Sequence, residues 1–124
     1  VMTLSDYATF LDFLHAQGVA ANGRRLLSVG GVQTLTRSRL AGIEANPFLE
    51  PGASFSFGWV TFEPSSMPTD SPYAHVPCNY WSGYAQTHVR FYRDDDAYLL
   101  IGVQVMDHAR TQLTQAALHE PLRR

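Results

Sequence analysis

The segment QTHVRFYRDDDAYLLIGVQVM, residues 86–106, decides the fold. Before its acidic centre, Val89 and Phe91 alternate with polar side chains, and a period of two residues is typical of a β-strand. Asp94–Asp96 supply the polar residues of a turn. Residues 99–105 are then almost continuously apolar, as expected of an interior strand. The segment therefore predicts a β-hairpin.

A second strand is predicted upstream, over GASFSFGWVTFE, residues 52–63. Alternation gives this strand apolar residues on both faces, so we expect it to be covered on each side. One face would hold Phe55, Phe57 and Trp59, and the other would hold Val60 and Phe62.

Helices are predicted at the two ends of the chain. Residues 3–18 begin with Thr3 or Ser5 as the N-cap and end at Gly18. Their apolar face, at helical spacing, consists of Tyr7, Phe10, Leu11 and Leu14. A second helix is expected over residues 107–120, with Asp107 as the N-cap.

Two interpretations stay open for residues 25–44. The first predicts a strand over 25–29, a turn at Gly30-Gly31 and a second strand over 32–37, because β-branched residues favour strands. The second predicts a helix over 33–44, because the apolar residues there also fit a helical face.

Residues 64–84 are predicted to form one long, ordered loop. The segment contains four prolines and no periodic apolar pattern, and a loop of this length in a small domain is usually functional. Together these elements predict a single α+β domain over residues 1–124. We expect an antiparallel sheet of about five strands with the N-terminal and C-terminal helices packed on it.

Composition narrows the classes of partner. A net charge of −2 gives no general attraction to nucleic acid. The sequence has no apolar run near the ~20 residues of a membrane helix and no export signal, so we expect a cytoplasmic protein that binds no membrane. Charged residues are only 16% of the chain, which favours a homodimer that covers apolar surface. Every basic residue other than histidine is arginine, which is typical of a GC-rich, bacterial genome.

The leading functional hypothesis is a non-catalytic binding or regulatory protein. Aromatic side chains are concentrated in and beside the predicted loop, and such residues line ligand pockets and protein interfaces. The partner would be a protein or a small apolar ligand, with no cofactor. The predicted binding residues are Trp59, Tyr73, His75, Tyr80, Trp81 and Tyr84.

The first alternative is a small enzyme, a lyase, isomerase or hydrolase, that works by histidine acid–base chemistry. His88, Arg90 and Tyr92 would share one face of the predicted strand, where they could bind and protonate a small anion.

The second alternative is a metal-binding protein. His75, Cys78 and His88 are of the types that bind zinc, although the sequence offers no clear fourth ligand.

Overall fold

The computed structural model describes residues 2–40, 49, 52–63 and 76–107 of the chain. Within these residues lie two helices and a five-stranded sheet in which every neighbouring pair is antiparallel. The helices are α1, Leu4–His15, and α2, Val29–Thr36, and the strands are β1, Ala53–Phe55, β2, Val60–Phe62, β3, Cys78–Ser82, β4, His88–Tyr92, and β5, Ala97–Ile101. The strand order β1-β2-β3-β4-β5 is a simple meander, which confirms the predicted α+β class.

The N-terminal helix starts as predicted because Thr3 caps it. The Asp6 backbone N–H donates to the Thr3 hydroxyl at 3.1 Å, and the Thr3 N–H donates back to the Asp6 carboxylate at 3.0 Å. The Thr3 hydroxyl also donates to the Asp6 carboxylate at 2.7 Å, and this bond, together with that from the Thr3 N–H, lowers the pKa of Asp6 from its ordinary value. After the helix, Gly18 has a φ of +85°, and a β-carbon there would lie 2.3 Å from the Leu27 carbonyl oxygen. Only glycine fits this position, which returns the chain toward α2.

The hairpin predicted around Gly30-Gly31 is wrong, because residues 29–36 form the helix α2. Ser28 caps this helix, and its hydroxyl accepts a hydrogen bond from the Gly31 N–H at 3.0 Å. Thr34 and Thr36 donate their hydroxyls to carbonyls four residues earlier, so these β-branched residues are accommodated. The helical interpretation was therefore the better one, although its bounds differ and residues 41–44 lie outside the described chain.

The single strand predicted over residues 52–63 is in fact a hairpin of β1 and β2. The Ser56 N–H donates to the Trp59 carbonyl at 2.9 Å, and Gly58 takes a φ of +81° between them. A glycine in this conformation permits a tight turn. Phe57 and Trp59 consequently do not share a face with Phe55 along one straight strand.

The remaining strands combine one confirmed prediction with one correction. The β4–β5 hairpin forms as predicted, in a register that pairs His88 with Ile101 and Tyr92 with Ala97. However, residues 78–82 of the predicted loop form β3, which pairs with β2 on one side and with β4 on the other. Residues 64–75 of that loop lie outside the described residues, as do residues 108–120 of the predicted C-terminal helix.

The buried apolar cluster joins both helices to the sheet residues. Its members are Leu11 and Leu14 of α1, Val32 of α2, Trp59, and Val89 and Phe91 of β4. The His15 ring, at the end of α1, stacks on Phe91 with 4.3 Å between ring centroids. In the described part of the chain, neither helix has the length and apolar character needed to cross a membrane.

Candidate functional site

The alternation of β4 gives the sheet two chemically different faces. Val89 and Phe91 belong to the apolar cluster. His88 and Arg90 alternate with them in sequence and therefore project from the opposite face. Each is only 3% exposed, which is unusual for charged and titratable side chains. We call this the His88 face, and the register adds Phe62, Tyr80 and Ser82 to it.

The side chains of the His88 face contact one another across the strands. Ser82 Oγ lies 2.7 Å from His88 Nδ1, within hydrogen-bond distance. The Arg90 guanidinium lies over the Tyr80 ring, 5.2 Å from its centroid, in a cation–π contact. The Tyr80 ring also stacks on Phe62 at 5.4 Å and lies 6.0 Å from the His88 ring. Tyr80 thus stands at the centre of this face.

The structure brings together two of the three predicted catalytic residues. His88 and Arg90 both surround Tyr80, whereas Tyr92 pairs with Cys78 at the other end of the strand pair and is half-buried. Ser82, the only exposed residue among those named for the His88 face, was missed because it fell in the predicted loop. A prediction of a strand over residues 78–82 would have placed it opposite His88.

Two of the three predicted metal ligands, Cys78 and His88, lie far apart in the sheet. Cys78 pairs with Tyr92 in the register, and His88 lies four residues further along β4. That offset is about 13 Å at ~3.3 Å per residue, whereas zinc lies within about 2.3 Å of each ligand atom. Cys78 and His88 therefore cannot hold the same ion in this fold, and His75 lies outside the described residues. Residues 2–40, 52–63 and 76–107 contain no group of three His, Cys, Asp or Glu side chains placed to bind a metal.

The predicted binding residues fall into different environments. Trp59 is 6% exposed and belongs to the core, where its ring stacks on Phe10. Tyr80 is half-buried beneath Arg90. Trp81 and Tyr84 are 48% and 78% exposed, as a contact surface requires. Tyr73 and His75 are outside the described residues.

Trp81 belongs to an aromatic surface that we call the hairpin patch, composed of Arg39, Phe55, Phe57 and Trp81. Phe55 meets the Trp81 ring edge-on, with centroids 5.9 Å apart. Phe57, at the β1–β2 turn, is 57% exposed, and the Arg39 guanidinium lies 5.6 Å from its ring centroid. The backbone N–H of Arg39 donates to the Phe55 carbonyl at 2.8 Å, which fixes the backbone of this arginine beside β1.

A separate cleft of about 260 Å³ lies where α1 and α2 approach the ends of the strands. At its wall, Arg93 donates to the Glu63 carboxylate at 2.7 Å and to the carbonyls of Thr36 and Phe62 at 2.8 Å. Gln17, Gln33 and Arg37 also line it. These polar walls do not suit an apolar ligand, and the bonds of Arg93 tie the end of α2 to the sheet.

The sequence matches no known protein family, and no curated protein matches it either. The functional argument therefore depends on the geometry of this chain.

Proposed function

We propose that this chain is a binding protein that holds a partner protein on the hairpin patch. The observation that carries the proposal is the exposure of two large rings in one patch. Trp81 is exposed beside Phe55, and Phe57 is exposed beneath Arg39. Tryptophan and arginine are the residue types that contribute most to the free energy of protein association. A cluster of exposed large apolar rings is also unfavourable in water unless something covers it.

Backbone hydrogen bonds hold the strands and the turn of the patch, which supports binding. Trp81 lies on β3, which has paired strands on both sides, and Phe57 lies in a two-residue turn closed by a hydrogen bond. Anchors held in one conformation lose little entropy when a partner docks. The fixed Arg39 at the rim favours an apolar partner segment flanked by a carboxylate, which could pair with the guanidinium.

Site-specific photo-crosslinking tests this proposal. A benzoylphenylalanine at position 81 should give a crosslinked partner protein when the chain is irradiated in cells. The control places the same group at position 26, because Leu26 is 58% exposed but lies outside the patch. The purified partner should then bind Trp81→Ala at least ~10-fold more weakly than the unchanged chain. Identical crosslinks from both positions, or none from position 81, would contradict the proposal.

We also propose that the protein acts in the cytoplasm as a homodimer. The low share of charged residues, 16%, supports self-association because it leaves more apolar surface to be covered.

A second candidate function is a hydrolase, favoured by the contact between Ser82 and His88. A hydroxyl at 2.7 Å from an imidazole nitrogen can transfer its proton to that nitrogen while the oxygen attacks an electrophile. The exposed Ser82 would be the nucleophile, and the buried His88 would be the base.

A fluorophosphonate probe separates this candidate from the binding proposal. Ser82 Oγ would attack phosphorus, fluoride would leave, and His88 would accept the serine proton. The intact mass should then rise by one phosphonyl group in the unchanged chain and in Ser5→Ala, but not in Ser82→Ala or His88→Gln. An unmodified chain, or modification that persists in Ser82→Ala, would contradict the hydrolase assignment.

A further inference from the structure

The last strand of the meander, β5, has β4 on one side and no described strand on the other. The chain around it is uncharged from Ala97 to Met106, and Leu99, Leu100 and Ile101 are half-buried. Edge strands of soluble proteins commonly carry charges or proline that block pairing with another chain. The β5 edge has neither of these features.

The backbone hydrogen bonds define which residues of β5 face outward. On either side of β4, the N–H of Arg93 and the carbonyl of Thr87 bond to the β3 side. The backbone groups of the even-numbered residues of β4 therefore point toward β5. Their register partners, Leu99 and Ile101, must point back toward β4.

The chain beyond β5 gives the same assignment. The N–H of Val105 and the carbonyl of Val103 both bond toward residues 85–87. The backbone groups of Tyr98, Leu100 and Gly102 consequently point away from the sheet.

We propose that this outward edge pairs antiparallel with the β5 strand of a second copy, with the two-fold axis at Leu100. This inference rests on the homodimer proposed above and names its interface. With the axis at Leu100, Tyr98 lies opposite Gly102 of the second copy, and both residues are uncharged. Asp96 lies opposite Gln104, so no carboxylate faces another carboxylate.

The register with a second copy opposes no like charges, which favours a second copy as the occupant. Like charges directly opposite each other destabilise a strand pair, and the proposed register opposes neutral residues along the whole of β5. A two-fold pair also satisfies the outward N–H and C=O groups of both copies at once. The result is one continuous sheet made of two five-stranded sheets.

Two proline variants test the interface by sedimentation. Gly102→Pro removes an outward N–H, and the nearest atoms to its new β-carbon belong to the exposed side chain of Leu4. We expect this variant to keep its circular dichroism spectrum and to dimerise at least ~10-fold more weakly. The control, Ile101→Pro, removes an N–H that faces β4 and should lower the melting temperature as well.

Amide exchange of the unchanged chain gives an independent readout. The amides of Tyr98 and Leu100 should exchange more slowly as the protein concentration rises, while those of Leu99 and Ile101 should not respond. A monomer at every concentration, or exchange at Tyr98 and Leu100 that ignores concentration, would overturn the inference. Neither result affects the photo-crosslink from position 81, so failure of the dimer and failure of the proposed partner binding are distinguishable.

Discussion

The two tryptophans of the chain lie beside the same strand pair but serve different regions of the molecule. Trp59 precedes Val60 of β2 and Trp81 follows Tyr80 of β3, and Val60 and Tyr80 are register partners. Trp59 is 6% exposed and stacks on Phe10 of α1, whereas Trp81 is 48% exposed beside Phe55. The tight turn at Gly58 turns the first ring into the core, and the second remains on the hairpin patch.

This difference separates residues that stabilise the fold from residues available for binding. A ring in the core gains free energy from the water it excludes on folding, about 25 cal/mol for each Å² of apolar surface buried. A half-exposed ring gains less on folding and can gain more when a partner covers it. Substitution by alanine should therefore lower mainly the free energy of unfolding at Trp59 and mainly the affinity for a partner at Trp81.

The largest effect is expected from Trp59→Ala. Removing this ring leaves a cavity beside Leu11, Leu14 and Phe10, which should reduce the free energy of unfolding by about 3–5 kcal/mol. Urea denaturation followed by circular dichroism measures this change. A loss below ~1 kcal/mol would show that Trp59 is not a core residue.

Arg93→Met tests the connection between the core and the patch. Arg93 bonds to the last residue of α2, Thr36, and the chain then reaches Arg39 three residues later. The variant leaves the Thr36 and Phe62 carbonyls without the Arg93 donors, so we expect a loss of about 2–3 kcal/mol.

The matched control is Arg37→Met, because Arg37 is exposed and its loss should change stability by less than about 0.5 kcal/mol. Equal losses in the two variants would show that the hydrogen bonds of Arg93 do not fix α2.

Trp81→Ala should have a smaller effect on stability than either change. Its main described aromatic contact is the edge of Phe55, and nearly half of its surface already meets water. We expect the free energy of unfolding to fall by less than about 1 kcal/mol in the same urea titration. A loss as large as that of Trp59→Ala would remove the distinction between the two regions.

The smallest effect is expected from Asp6, at the N-terminus of the helix that supports Trp59. Its pKa is lowered in the folded chain by the bonds to Thr3, so its contribution to stability is present above its ordinary pKa of 3.8 and is lost as the pH falls through the folded value. In Asp6→Asn, the melting temperature should therefore fall slightly less between about pH 5 and pH 2 than in the unchanged chain. An identical pH profile in both proteins would mean that this cap does not couple to folding.

The sequence predicted the elements with strong periodicity and local caps. Thr3 marked the start of α1, although the helix ends at His15 and not at Gly18, and alternation with an acidic turn identified the β4–β5 hairpin. The errors came from short elements, where tertiary contacts outweigh local preference. In α2 the Ser28 cap and the burial of Val32 prevailed over the strand preference of its β-branched residues.

The candidate site was harder to predict because it depends on pairing between distant segments. His88 and Arg90 could be placed on one face from alternation alone. The position of Tyr80 between them, and of Ser82 beside His88, required the β3–β4 register. Likewise, the alternation of aromatic residues predicted one continuous strand, whereas a turn at Gly58 separates Phe57 from Trp59.

The most direct test of the hairpin patch is the affinity of the crosslinked partner for Trp81→Ala, measured by titration calorimetry beside its urea stability. We predict binding at least ~10-fold weaker than that of the unchanged chain, with the free energy of unfolding within about 1 kcal/mol. Unchanged affinity, or a loss of binding that merely follows a loss of folding, would contradict the assignment of this surface to partner binding.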